Sequence, residues 1–272
     1  RRRSRPQPLA RRAFAQPLVD GQPQGPDFRG LPVASLIHIG TECAFHGAPA
    51  DGVVPLTIAI EQSTDLDDYS HARWLLGVCL ASSGDFERAR DVLIPLTNSP
   101  PTPRRWASLA HTTIASTLRQ EGKHPAAQQQ DELALRLSVE STQFDVHIGL
   151  AADAVGQLDV ASARCELAAA RAVATIEWRQ QVRVAWVDAE IALMEDRPAD
   201  ALAIALAAAA VAERSDAPRH QAKSLLFAGV AALGAGDDAH AIELLEEAVA
   251  LSQRLGLEPL QRVARAVLAG RA

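Results

Sequence analysis

The sequence is poor in residues that would indicate a disulfide-linked, zinc-binding or membrane-spanning protein. Its three cysteines, Cys43, Cys79 and Cys165, are far apart and form no CxxC pair. An odd number of distant cysteines argues against a disulfide framework, so we expect reduced thiols in a cytoplasmic protein. The longest apolar candidate, at 201–212, falls short of the roughly 18 residues that a membrane-spanning helix needs. We therefore predict no membrane partner.

Aromatic residues are also scarce. They make up 4% of the chain, whereas hydrophobic residues make up 48% and alanine dominates them. This composition favours helices that approach closely over small side chains rather than packed sheets. The net charge of −6 is uneven, because residues 1–30 hold seven arginines against Asp20 and Asp27. The sequence thus predicts an acidic, all-α body preceded by a basic arm.

Residues 1–30 are rich in proline and glycine as well as arginine. They offer little apolar surface to offset the entropy of ordering, so we expect a flexible arm. We interpret its arginines as solvated or folded back on the acidic body. Contact with a nucleic acid or an anionic lipid is the alternative, and contact with a nucleic acid predicts binding that weakens steeply with salt.

One sequence motif occurs five times from residue 82 onwards. It consists of a turn of small residues followed by an alanine, which begins a run of apolar residues at helical spacing. The alanines are Ala89, Ala127, Ala163, Ala201 and Ala241, at intervals of 38, 36, 38 and 40 residues. A period of this size is typical of stacked helix pairs. The predicted pairs are 70–82 with 86–97, 105–120 with 125–140, 143–156 with 159–175, 178–195 with 198–213, and 219–234 with 238–254.

A degenerate pair is predicted before these five, at 31–68. Gly40 takes the place of the small residue in the first helix, and Gly52 stands where the later pairs have alanine. Leu56 then lines the core, although Pro55 inside the second helix departs from the pattern. We expect this pair to be distorted or to cap the N-terminal end.

A single helix is predicted after the last pair. Gly256 ends the pair, and residues 258–270 are amphipathic. Because the end of a solenoid has to cover an apolar face, we expect a C-terminal cap. The predicted domains are an arm at 1–30, the degenerate pair at 31–68, repeats at 69–255 and the cap at 256–272.

These residues resemble the tetratricopeptide repeat family over about 33–255. The family has a small residue in the middle of each first helix. In this chain the corresponding residues are Gly77, Ala115, Ala151, Ala189 and Gly229. The intervals exceed the family's usual length of about 34 residues. The resemblance implies an all-α, right-handed superhelix of about five to six helix pairs plus a C-terminal capping helix.

The longer repeats are similar to those at the C-terminal ends of large bacterial ATP-dependent transcription activators, in which phrases like that at 250–260 are common. The phosphate-binding loop and the DNA-binding helix–turn–helix of such activators are not recognisable in the sequence. The resemblance therefore covers only the part that senses a signal.

We find no set of residues that predicts catalysis, because no nucleophile, base and acid can be assembled from the sequence. His38, Glu42 and His46 lie at helical spacing beside Cys43, which could suit zinc. We interpret them instead as the polar flank of a degenerate repeat helix. The prediction is a protein without catalytic residues, metal or cofactor.

The resemblance implies that partners bind in a concave groove lined by the first helix of each pair. The predicted groove residues are His71, Trp74, Val78, Thr112, Arg119, Ile148, Arg183, Trp186, Glu190 and Leu226. Trp74 and Trp186 have the same register in their repeats, and either anchor a partner or fill space between helices. The two lysines, Lys123 and Lys223, lie outside these positions, which argues against a lysine clamp for C-terminal carboxylates.

Three functions follow from this interpretation. The first is a non-catalytic scaffold or adaptor that binds a protein, as a peptide or partner helix, or a second copy of itself. The second is a regulator of transcription that senses a peptide or small ligand, and it predicts a closed pocket around Trp74 and Trp186. The third is contact with a nucleic acid through the basic arm.

Overall fold

The computed structural model describes residues 27–98 and 101–270, and within these ranges the chain is helical without a β-strand. The predicted arm at 1–30 lies outside the described residues except for 27–30. The helices are α1 (Val33–His46), α2 (Val53–Gln62), α3 (Leu66–Ser83), α4 (Phe86–Asn98), α5 (Arg104–Gln120), α6 (His124–Leu137), α7 (Glu140–Gly156), α8 (Val160–Val173), α9 (Trp178–Met194), α10 (Pro198–Arg214), α11 (Pro218–Gly234), α12 (Asp238–Leu255) and α13 (Glu258–Ala269).

Helices α3 to α12 form the five predicted pairs. Each helix packs on the next, and the first helices also pack on one another in the order α1, α3, α5, α7, α9, α11. First helices therefore form one layer of a solenoid and second helices the other. This arrangement confirms the predicted all-α superhelix. Among the described helices, none has the length and hydrophobicity needed to cross a bilayer.

The repeated turns share one backbone conformation. In each pair, one turn residue has a positive φ angle; these residues are Gly84, Gly122, Leu158, Asp196 and Gly236. Each of them lies five residues before the repeated alanine of its pair. The left-handed backbone reverses the chain between two antiparallel helices and is most favourable for glycine. The small-residue phrase in the sequence thus encodes the turn.

A large side chain of the second helix packs against a small residue of the first. A Cβ atom at Gly77 would lie 2.5 Å from Leu93, and one at Gly229 would lie 2.6 Å from Leu245. The repeated alanines of the second helices are fully buried. These close contacts set the distance between the two helices of a pair.

The degenerate pair follows the same rule. A Cβ atom at Gly40 would lie 2.3 Å from Leu56, and Leu56 is buried in the core, as the sequence predicts. Its second helix differs from the others, because Pro49–Gly52 form a 3₁₀ helix and α2 begins only at Val53. Pro55 consequently lies in the first turn of α2, where a missing backbone N–H breaks no helical bond. The proline is not the interruption that the sequence pattern indicated.

The two ends of the solenoid meet, which the repeat pattern does not predict. Helix α1 contacts α11, and the C-terminal helix α13 contacts α3 as well as α12. The Arg219 guanidinium donates a hydrogen bond of 2.9 Å to the carbonyl oxygen of Ala44. His46 Nδ1 lies 3.0 Å from the carbonyl oxygen of Asp216. The superhelix is therefore closed into a ring.

Leu158 tests the account of the turns, because it combines a φ of 61° with an exposed fraction of 78%. Replacement by glycine removes the steric cost of a left-handed backbone, about 1–2 kcal/mol, and loses little buried surface. We expect Leu158→Gly to raise the free energy of unfolding by about 0.5–1 kcal/mol in urea titrations. Leu158→Ala keeps the Cβ atom and should gain nothing. Equal stability of the two variants would contradict the account.

Candidate binding site: a central cavity

The closed superhelix surrounds a cavity of about 490 Å³. Its wall consists of the first helices of the pairs, from α3 to α11, together with Phe45 of α1 and the beginning of α13. A second cavity of about 410 Å³ adjoins it, since Trp74, Asp145 and Arg183 line both. The combined space lies where the sequence predicts a concave groove.

All ten predicted groove residues border this space. His71 lines the smaller cavity, Trp74 and Arg183 line both, and the other seven line the larger one. Four of the ten are buried, with exposed fractions of 5–9%: Trp74, Thr112, Ile148 and Leu226. The other six are half-buried. The structure thus brings the predicted residues together, and their role in binding stays a prediction.

The two register-matched tryptophans connect neighbouring first helices. Trp74 Nε1 donates to Thr113 Oγ1 at 3.0 Å, and Trp186 Nε1 donates to Ser224 Oγ at 2.8 Å. Each acceptor lies on the next first helix along the ring. Both indoles therefore fill space between helices while they also border the cavity, so the two interpretations of these residues do not exclude each other.

Positive charge gathers at the end of the cavity where α1 meets α9 and α11. Asp145 bonds Arg183 and lies 3.4 Å from an Arg179 nitrogen. The Arg179 guanidinium also lies 4.6 Å from the centre of the Phe45 ring. Arg219 contributes the bond to the backbone of α1 described above. These arginines both charge the cavity wall and hold the ring closed.

Lys223 and Glu190 both line the cavity. Within the described ranges, neither side chain forms an ion pair. Lys223 Nζ lies 4.3 Å from the centre of the Trp186 ring, a cation–π contact. Burial lowers the pKa of Lys223 to about 8 and raises the pKa of Glu190 to about 7. Burial, followed by nearby positive charges, also lowers the pKa of His220 well below its usual value. That imidazole is therefore neutral at physiological pH.

Arg119 holds two buried carboxyl groups behind the cavity wall. It donates to Asp131 Oδ2 at 2.6 Å and to Asp153 Oδ1 at 2.9 Å. Burial is the largest cause of the raised pKa of both aspartates, which for Asp131 reaches about 8. One arginine cannot neutralise two carboxylates, so the site retains a proton near neutral pH.

The sequence does indicate this cluster, although the repeat pattern alone does not. Four residues after the repeated alanine, the other pairs have Leu93, Leu167, Ala205 or Leu245, and the second pair has Asp131. An aspartate at a core position predicts a buried partner. The lining residues from α1 and α13 carried no such signal, because they reach the cavity only through ring closure.

The histidines near the N-terminal end do not converge on a common point. His46 lies against Trp178, with ring centres 5.6 Å apart, in addition to its contact with the backbone of Asp216. Across the described ranges, no group of three or more histidine, cysteine, aspartate and glutamate side chains has the arrangement of a metal site. Cys43 and Cys79 are buried free thiols, and Cys165 is an exposed one.

A known structure with this fold is a STAND protein (signal transduction ATPase with numerous domains) with a tetratricopeptide repeat sensor, from Pyrococcus horikoshii. The match has 15% identity and a TM-score of 0.50 and covers 78% of this chain. The chain has a tetratricopeptide-like fold. The match covers only 35% of the P. horikoshii chain, so this chain corresponds to about a third of that protein.

Two further structures match most of their own length. BtubC from P. vanneervenii has 15% identity over 82% of this chain and 92% of its own, with a TM-score of 0.47. YrrB, a TPR protein with an unusual peptide-binding site, has 21% identity over 75% of this chain and 96% of its own, with a TM-score of 0.36. No protein-family model and no curated protein sequence matches this chain.

The cluster around Arg119 predicts opposite effects of two substitutions. Arg119→Met leaves two buried carboxyl groups without a cation and should lower the free energy of unfolding at pH 7 by about 3–5 kcal/mol. Asp131→Leu restores the apolar side chain of the other repeats and leaves one arginine with one aspartate, so it should be neutral or stabilising. Arg90→Met, which breaks a surface pair with Glu121, is the control and should cost about 1 kcal/mol or less. A large loss in Asp131→Leu would contradict this account.

The raised pKa values also predict how stability depends on pH. The folded chain retains protons on Asp131 and Glu190 that the unfolded chain releases above about pH 4. Raising the pH from about 5 to 8 should therefore lower the free energy of unfolding contributed by these groups. Urea titrations at several pH values should show a shallower decline for Asp131→Leu and for Glu190→Gln than for the wild type. Parallel curves for all three proteins would contradict the prediction.

Proposed function

We propose that this chain is a non-catalytic binding module that holds a short peptide or a small molecule inside the central cavity. The closure of the superhelix carries this proposal. An open solenoid offers a groove to a long partner, whereas a ring closed by α1 and α13 encloses its occupant.

The size of the cavity supports a small occupant. The larger cavity has a volume of about 490 Å³, and the adjoining one has about 410 Å³. Binding sites for small ligands have volumes of roughly 300–1,000 Å³. A scaffold that binds a long partner in the concave groove would need the two ends of the solenoid to separate.

The residues that close the ring link an occupant to a change of shape. Arg179 and Arg219 line the cavity and also contact α1. An occupant that contacts these side chains favours the closed form over an open one. We therefore propose a sensing role, in which a partner protein distinguishes the two forms. The resemblance to the repeat domains of bacterial transcription activators, and the sensor repeats of the P. horikoshii protein, agree with this role.

A substitution that fills the cavity tests the proposal. Ala152 lines the cavity from α7, so Ala152→Trp should exclude an occupant, whereas Ala161→Trp places the same side chain at an exposed position on α8. A library of short peptides and metabolites is screened by thermal shift against the wild type and both variants. A ligand at a hundred times its Kd adds about 2.7 kcal/mol, which corresponds to roughly 5–10 °C.

Ligands should raise the melting temperature of the wild type and of Ala161→Trp, and should leave Ala152→Trp unchanged. Equal shifts in all three proteins would place the binding site outside the cavity. A pull-down that recovers the same partner with both variants would favour a scaffold that binds elsewhere on the solenoid.

A further inference from the structure

We propose that the cavity recognises a ligand with a phosphate group, which is bound by Arg179, Arg183, Arg219 and Lys223. This inference rests on the binding function proposed above and adds the chemical class of the ligand.

The four cations converge because of the solenoid geometry. Arg179 and Arg183 lie one turn apart on α9, and Arg219 and Lys223 lie one turn apart on the adjacent α11. All four line the cavity. The hydrogen bond between Trp186 and Ser224 holds the two helices side by side in this register. The cations therefore form two adjacent rows on the cavity wall.

Too few carboxylates lie near the four cations to neutralise their charge. Among the described residues, Asp145 is the carboxylate that bonds to any of the four, and it is shared by Arg179 and Arg183. Arg219 bonds a neutral backbone carbonyl, and Lys223 lies over aromatic rings. Glu190 is the second carboxyl group near Lys223, and burial keeps it partly protonated at neutral pH. The exposed Glu177 also interacts with Arg179. Four cations against Asp145, Glu177 and a partly ionised Glu190 leave a surplus of between one and two positive charges.

Such a surplus in a half-buried site is unfavourable without an anion. Burial is the main cause that lowers the pKa of Arg219 to about 10, and Arg179 and Arg183 lower it further. Burial also lowers the pKa of Lys223, where Glu190 opposes the shift and nearby arginines add to it. Other cations on the wall are compensated or solvated, because Arg119 bonds two aspartates and Arg262 is exposed. An anion at the four-cation cluster would remove the repulsion.

Charge and shape favour a phosphate over a carboxylate. A phosphate monoester has a charge of about −1.5 to −2 at pH 7 and three acceptor oxygens, which matches the surplus, whereas a carboxylate supplies one charge. Arginine guanidinium groups bind such oxygens in pairs. The cavity is also lined by apolar side chains, among them Ile148, Ala152, Leu226, Leu260 and Val263. These side chains provide an apolar surface for the organic body of a phosphate ester.

Two lysine substitutions provide a matched test. Lys223→Met removes a cation of the cluster while it keeps the side-chain volume. Lys123→Met removes the other lysine of the chain, an exposed residue paired with Glu121. The probes are inorganic phosphate, AMP against adenosine, glucose 6-phosphate against glucose, and acetate, all at one ionic strength. Binding is measured by calorimetry and thermal shift.

Inorganic phosphate and at least one of the two esters should bind the wild type and Lys123→Met, and should bind Lys223→Met at least tenfold more weakly. Lys223→Arg keeps the charge and should retain most of the affinity, which separates charge from packing. Equal phosphate binding by the wild type and Lys223→Met would overturn the proposal. Acetate that binds as well as phosphate would also overturn it, as would the absence of binding by every phosphate compound.

Ala152→Trp separates this proposal from the general binding function. It places an indole among the apolar lining residues of the cavity, so it should abolish binding of the esters and spare inorganic phosphate. If phosphate compounds fail to bind but other ligands bind the wild type and are lost in Ala152→Trp, the cavity is a binding site for another class of ligand. If esters bind Ala152→Trp and the wild type equally, the cavity itself is not the site.

Discussion

The contact between a small residue of one helix and a large residue of its partner determines this structure. Gly40, Gly77 and Gly229 each admit a leucine of the second helix where a Cβ atom would collide with it. The contact fixes how closely the helices of a pair approach, and stacking repeats this geometry along the chain. Small differences in approach accumulate over successive pairs into the curvature of the superhelix. Here the curvature is sufficient to bring α1 against α11 and α13 against α3.

Closure changes the chemistry of the inner wall. Side chains that would face solvent in an open solenoid become half-buried, and their charges interact more strongly in the less polar surroundings. This explains why Glu190 and Lys223, which carry opposite charges and face one cavity, both have a pKa shifted toward the neutral form by burial. Arg179 and Arg219, which contact α1, also contribute to the positive surplus of the cavity. Binding and closure are therefore coupled in the proposed mechanism.

Much of the fold could be predicted from the sequence, because the repeated alanines and turns report local packing. The helices of the five pairs begin and end within a few residues of the predicted positions. The groove residues could be assigned for the same reason, since position within a first helix decides which face a side chain occupies. Closure could not be predicted, because it depends on small angles summed over all pairs. Phe45, Arg219 and Leu260 were consequently missed as residues of the wall. Lys223, which the sequence analysis left outside the groove positions, also lines the cavity.

The central claim is that the two ends of the solenoid meet in solution. Spin labels at Ala50→Cys and Arg214→Cys, both exposed positions near the contact between His46 and Asp216, report it most directly. Cys165, the exposed native thiol, is replaced by serine, and the buried Cys43 and Cys79 are left in place. Double electron–electron resonance should give one narrow distribution at short distance. A broad distribution at long distance would show an open superhelix and contradict the account of an enclosed cavity.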